Sequence, residues 1–262
     1  MRIFTFKNLR ILVLIFILAT VLMYTKNQRL VTQGWYKPLE VVVFPINADS
    51  SHSVDEYIKT LTAKSFSDID DFIKRESKKY DDVVSSTPTI TRFGNTVASF
   101  PPKPPGSDSN PLAIAFWSMK LRWWAFQNTP DSISNKHRVR MFVLYHEDKS
   151  NQKLEHSLGL QKGLLGIVHA FASNEQAKQN NVVIAHELLH TVGASDKYDS
   201  LGNPLPPHGL GNPDLSPLYP QKRAEIMAGT VASSETQSKM ARSLKSCVVG
   251  EKTAQEIGWQ TN

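Results

Sequence analysis

Apolar residues along the chain fall into strand-like runs and helix-like stripes. "PLEVVVFPI" (Pro38 to Ile46) is nearly continuous and β-branched, as a buried strand is. "RVRMFVLYHE" (Arg138 to Glu147) alternates like a half-buried strand, "GLLGIVHAFAS" (Gly163 to Ser173) reads as another, and "TITRFGN" as a short one. From Ser53 to about Lys79, Ile58, Leu61, Phe66, Ile69, Phe72 and Ile73 stand among charged residues, predicting one or two amphipathic helices. "LAIAFWSMKLRWWAF" (Leu112 to Phe126) lacks Pro and Gly and predicts a buried helix with its aromatic rings in the core. Asn180 or Asn181 can cap a helix starting at Val182, in which Ala185, Leu188, Leu189 and Val192 form one stripe. "SSETQSKMARSLKS" and "KTAQEIGW" predict one or two closing C-terminal helices. Strands and helices therefore interleave as an α/β fold, a mostly parallel or mixed sheet with packed helices in one domain, residues 30–262.

Two segments interrupt this pattern. "FPPKPPGSDSNP" (Phe100 to Pro111) predicts a surface loop, because proline excludes both helix and central strand. Asp199 to Gln221 holds six prolines and three glycines, and a loop of that length inside a domain is usually functional.

Residues 1–29 differ from the rest. A basic head precedes Ile11 to Tyr24, in which Thr20 is the only clearly polar residue. Fourteen helical residues span about 21 Å against a hydrocarbon core of ~30 Å, which fits a signal peptide as well as a membrane span. No Ala-x-Ala-like site follows, and Arg10 and Lys26 can snorkel, so an uncleaved signal anchor is expected ahead of a cleaved signal. The basic head then places the N-terminus inside and residues 30–262 outside the cytoplasm.

The same segment accounts for the charge. Of the net +6, five positive charges (Arg2, Lys7, Arg10, Lys26, Arg29) lie in these residues, leaving 25 Lys and Arg against 24 acidic groups. A nucleic-acid partner is not expected. Cys247 is the single cysteine, which excludes an intramolecular disulfide framework and suits a bacterial periplasmic or cell-surface domain.

Candidate chemistry centres on "HELLHTVGASDKYD" (residues 186–199). On a helix, His186 and His190 lie within about 40° of each other at ~100° per residue, so both imidazoles can reach one ion. Glu187 flanks them as an unligated carboxylate. Had the helix continued, Asp196 would stand about 9 Å further along the axis, too far to share the ion. Gly193 can end the helix in a left-handed conformation and return Asp196 toward the metal. Glu225, His208 and Asp199 are the other candidate ligands. Asp199, Asp214, Asn203 and Asn212 could serve calcium, although such residues usually build turns.

His186, Glu187, His190, Gly193 and Asp196 resemble the metzincin zinc peptidases, whose pattern is HExxHxxGxx followed by His or Asp. The aspartate version, with Tyr198 two residues later, is similar to the small bacterial snapalysin-type peptidases. "AEIMAG" (Ala224 to Gly229) resembles the metzincin Met-turn and nominates Met227. The resemblance covers about 45 residues, and the 30-residue gap between Asp196 and Met227 departs from the usual pattern.

The resemblance implies a zinc endopeptidase acting on protein or peptide substrates. His186, His190 and Asp196 would hold Zn²⁺, and Glu187 would activate water. Tyr198, ahead of Tyr219 and His208, would supply an oxyanion donor. The edge of the sheet beside the metal helix could bind substrate as an added strand, with His169 structural. A zinc hydrolase of a non-peptide amide and a non-catalytic membrane-tethered binding domain are the alternatives.

Overall fold

The three apolar runs lie side by side. The computed structural model describes residues 6–80, 85–106, 108–129, 138–149 and 153–260. β1 (Leu39–Asn47) pairs in parallel with β2 (Thr89–Phe93) and β3 (Arg138–His146), and β3 pairs in parallel with β5 (Leu165–Phe171). β4 (Leu158–Leu160) closes the sheet antiparallel to β5, giving the order β2-β1-β3-β5-β4. The fold is mixed α/β, as expected, and the edge beside β5 belongs to β4, a strand too short to leave a sequence signal.

Alternation along the strands divides the core into two layers. Val41, Val43, Met141, Val143, Tyr145, Val168 and Ala170 join the face covered by α2 (His52–Thr60), α3 (Ser67–Ser77) and α5 (Ala177–Thr191). Val42, Phe44, Phe142, Leu144, Leu165 and Ile167 join the other face, where α4 (Pro111–Gln127) brings Leu121 and Ala125. Burial on both faces explains why β1 reads as an apolar run, whereas β3, expected to alternate as a half-buried strand, is buried on both faces from Met141 to Tyr145.

Three expectations change. α4 is not a buried helix: only Leu121 and Ala125 are buried, while Leu112, Phe116, Met119, Trp123 and Phe126 are each 60–82% exposed. It is apolar on two opposite sides, and aromatic density cannot tell which side meets protein.

α5 starts at Ala177, so Asn180 and Asn181 lie within it and do not cap it. Asn180 instead exchanges hydrogen bonds with the Phe171 backbone at 2.9 and 3.2 Å, fixing α5 to β5. Asn181 donates to Ser65 O and to Asp68.

The C-terminal "SSETQSKMARSLKS" is not helical. β7 (Thr230–Ala232) and β8 (Ser238–Met240) form a hairpin around its Ser/Thr-rich turn, and a 3₁₀ turn (Leu244–Ser246) follows. β6 (Ala224–Glu225) pairs with β9 (Cys247–Val248), and α6 (Glu251–Ile257) is the one helix after residue 200 among the described residues.

At the other end, α1 (Phe6–Gln33) contains an 18-residue apolar window, Phe6–Met23, of mean hydropathy 2.1 and with none of it buried, long enough to cross a membrane. The helix does not swing free of the domain. Gln33 Nε2 donates to Val192 O (2.6 Å) and Glu256 O (2.9 Å). The buried Trp35 donates to Ile257 O at 2.8 Å and meets Trp259 edge-on, ring centroids 5.7 Å apart.

Trp35→Ala removes that joint, and the expected loss of unfolding free energy is about 3–5 kcal/mol. Denaturant titration of the detergent-solubilised chain, followed by circular dichroism, measures it. An unchanged midpoint would show that the joint contributes nothing.

Candidate metal centre

α5 carries the motif because one side of it is fixed in the core. Val182, Ala185, Leu188 and Leu189 are buried, which turns His186 and His190 toward the rim of the sheet. Gly159 on β4 permits a close approach there: a Cβ at this position would lie 2.3 Å from Glu187 O and 2.6 Å from His190 Cβ. The edge strand thus lies directly against the motif. A single glycine in a three-residue strand gave no sign of this in the sequence.

Among the described residues, His186, His190 and Asp196 form the one group of three donors that could hold a metal ion. His186 Nε2 and His190 Nε2 are 3.1 Å apart, and Asp196 Oδ1 is 3.2 and 3.1 Å from them. The triangle is nearly equilateral. Donors in tetrahedral positions ~2.0–2.1 Å from a zinc ion are about 3.3–3.4 Å apart, so the three atoms fit such an ion closely.

The tautomers strengthen the fit. His186 Nδ1 faces Ile226 O at 2.9 Å, and His190 Nδ1 faces Ala194 O at 2.8 Å. A carbonyl only accepts, so each Nδ1 carries the proton and, in the neutral ring, each Nε2 presents a lone pair. Two lone pairs and a carboxylate oxygen then converge, an arrangement that a cation or shared protons must relieve. Although burial acts to raise the Asp196 carboxyl, the two histidine rings against it hold it well below the usual carboxylate range, as they do once a proton is shared at Nε2.

Gly193 returns the chain as expected. Its φ is +112°, Gly193 N donates to His190 O (3.1 Å), and Ala194 N donates to Leu189 O (3.0 Å), the bond pair of a Schellman cap. A Cβ on Gly193 would also stand 2.6 Å from Gln33 Nε2 and 2.9 Å from Gln161 Nε2. Beyond the turn, residues on both sides of Asp196 are held by Glu256 of α6, which accepts from Ser195 N (2.9 Å), Ser195 Oγ and Lys197 Nζ (both 2.8 Å). Sequence reasoning missed Glu256 and Lys197, because nothing in the local pattern links residues about sixty positions apart.

Met227 is fully buried in the turn between β6 and β7. That turn touches the site through its backbone. Ile226 O fixes the His186 ring, and Met227 O accepts from Lys197 N at 3.0 Å, next to Asp196.

The structure takes the other candidate ligands elsewhere. Glu225 is buried, and its carboxylate accepts from Met227 N (2.6 Å), Thr253 Oγ1 (2.8 Å) and Gly250 N (3.2 Å). Asp199 accepts from Leu201 N and Asn203 N within its own turn, and Asn212 accepts from Asp214 N, so these residues build turns. His208 lines a separate cavity of about 700 Å³ with Tyr80, Arg223 and Lys252.

Glu187 stands outside the triangle. Its Oε2 is buried without a hydrogen-bond partner, and burial pushes its pKa above the usual carboxylate range. It lines a cavity of about 460 Å³ with His186, Tyr198, Val183, His169 and Met240, within the size range of ligand pockets. The Tyr198 ring lies over His186, centroids 6.3 Å apart, and burial first, then the Asp196 charge, pushes its hydroxyl up to about 12.

His169 forms a polar wall of this cavity. Its Nδ1 is 3.0 Å from His146 Nε2, and His146 Nδ1 is 3.0 Å from Asp49 Oδ1, which fixes the ring through a chain of hydrogen bonds. Burial lowers the His169 pKa.

In comparison with known proteins, the chain matches no protein-family model and no curated protein.

Zinc titration with a competing chelator should give one site per chain. Asp196→Ala should weaken binding by more than a hundredfold. Glu256→Ala, which removes no donor, should weaken it about 10–100-fold, the usual range for a group that orients a ligand. Equal affinity in all three proteins would show that these donors do not form the site.

Proposed function

We propose that the chain is a zinc endopeptidase of the metzincin type, anchored in a membrane by α1 with its domain on the extracytoplasmic side. The observation that carries the reading is the Nε2, Nε2, Oδ1 triangle beside the buried carboxylate of Glu187, whose Oε2 has no hydrogen-bond partner. A purely structural site has no use for that carboxylate. The turn at Gly193 and the buried Met227 in a turn bonded to His186 support the metzincin resemblance.

His186, His190 and Asp196 would hold zinc, which when bound supplies a Lewis acid that polarises a carbonyl oxygen and acidifies water. Glu187 accepts a proton from water as its oxygen bonds to the scissile carbonyl carbon. It then delivers that proton to the departing amine nitrogen as the C–N bond breaks. Burial of Glu187, which raises its affinity for a proton, suits it to hold the proton between the two transfers. Tyr198 keeps its hydroxyl proton at neutral pH and can donate to the developing oxyanion. The free edge of β4, packed against α5, offers main-chain groups to an extended peptide.

The zinc-loaded full chain should cut a diverse peptide mixture, read by mass spectrometry. Glu187→Gln with equal zinc content should cut at least a hundredfold more slowly. Cutting that survives the substitution would reject Glu187 as the base. No cutting of peptides by a folded, zinc-loaded parent would reject the peptidase reading in favour of another amide substrate or a binding role.

A further inference from the structure

α4 has two apolar faces and only one is covered. At ~100° per residue, Leu112, Phe116, Met119, Trp123 and Phe126 fall within about 40° of a common line, and buried Leu121 and Ala125 lie on the opposite side. The outer line holds three aromatic rings and is 60–82% exposed at every position. On the same scale Lys120 and Arg122 flank it at about 80° on either side. A large exposed apolar patch rimmed by polar residues marks an interaction site.

Two observations identify what covers it. The first is continuity with α1. Arg122 donates from Nε and Nη2 to Lys162 O (3.2 and 3.1 Å), and the adjoining Gln161 meets Gly193 at the same point as Gln33, in the last turn of α1. The buried Thr32 lies only nine positions beyond Met23, the end of the apolar window. As helix these span about 14 Å, against a headgroup layer of roughly 5–8 Å, so the domain is held near the surface.

The second is charge. A two-fold pairing of this stripe, centred on Met119, would bring Lys120 and Arg122 of both copies together. Anionic headgroups complement them, as they do exposed Lys162.

We propose that the outer face of α4 lies in the headgroup and upper acyl region of the bilayer that α1 crosses, as a second, in-plane membrane contact. The inference rests on α1 spanning that bilayer, and on no part of the catalytic reading. Apolar side chains enter the boundary while Lys120 and Arg122 remain with the phosphates.

The test is the full chain reconstituted in vesicles containing anionic lipid, with and without lipids brominated near the glycerol end of the acyl chains. Trp123 is the one tryptophan among the exposed large apolar residues. Brominated lipid should quench the parent fluorescence, and Trp123→Phe should remove at least half of that quenching. Vesicle flotation reports α1 separately. A chain that floats but shows equal or no quenching in parent and variant overturns the α4 contact alone. One that neither floats nor is quenched overturns the α1 reading as well. Trp123-dependent dimers without quenching assign the stripe to a second copy.

Discussion

The buried carboxylate of Glu225 holds together the part of the fold that the donor cluster depends on. An isolated carboxylate in the core would be strongly unfavourable, and here three donors from three places surround it: Met227 N in its own turn, Gly250 N before α6, and Thr253 Oγ1 within α6. Burial still pushes its pKa up, with those hydrogen bonds opposing the rise. The turn so fixed presents Ile226 O to His186 and Met227 O to Lys197 N. One carboxylate therefore sets the positions of a donor ring and of the segment bearing the third donor.

α6 acts on the cluster twice. Thr253 reaches it through Glu225, and Glu256 reaches it through Ser195 and Lys197. No residue of α6 belongs to the donor group, yet the seven-residue helix determines where Asp196 stands. Were a cation to enter, donors held in this way would need no rearrangement, which would lower the cost of binding it.

The legible parts of the sequence were those in which a short pattern carried the physics. His186, Glu187 and His190 share one helix, and Gly193 and Asp196 follow within six residues, so periodicity and one turn rule sufficed to bring the donors together. β1 and β5 are legible because burial on both faces leaves a nearly apolar run, while β3 is legible as a strand although its apparent alternation hides burial on both faces. The exposure of α4 is not legible because an outward aromatic stripe has the same composition as an inward one. The C-terminal hairpin resembles helix in sequence because its strands are three residues long, too short to display alternation. Glu225 looks like a candidate ligand in sequence because composition cannot reveal that its oxygens already accept from Met227, Gly250 and Thr253.

α1 runs as helix to Gln33, and within two residues Trp35 is buried against Trp259. There is no slack between them. With α1 upright in a bilayer, the domain has neither the swing nor the reach of one hung on a flexible linker. Were α1 to cross a bilayer as proposed, the cavity beside Glu187 would stand at a set height above the lipid. Polypeptides that pass through that layer would meet it often, and those diffusing freely in bulk would meet it seldom. Selection by height would then operate before any side chain was recognised.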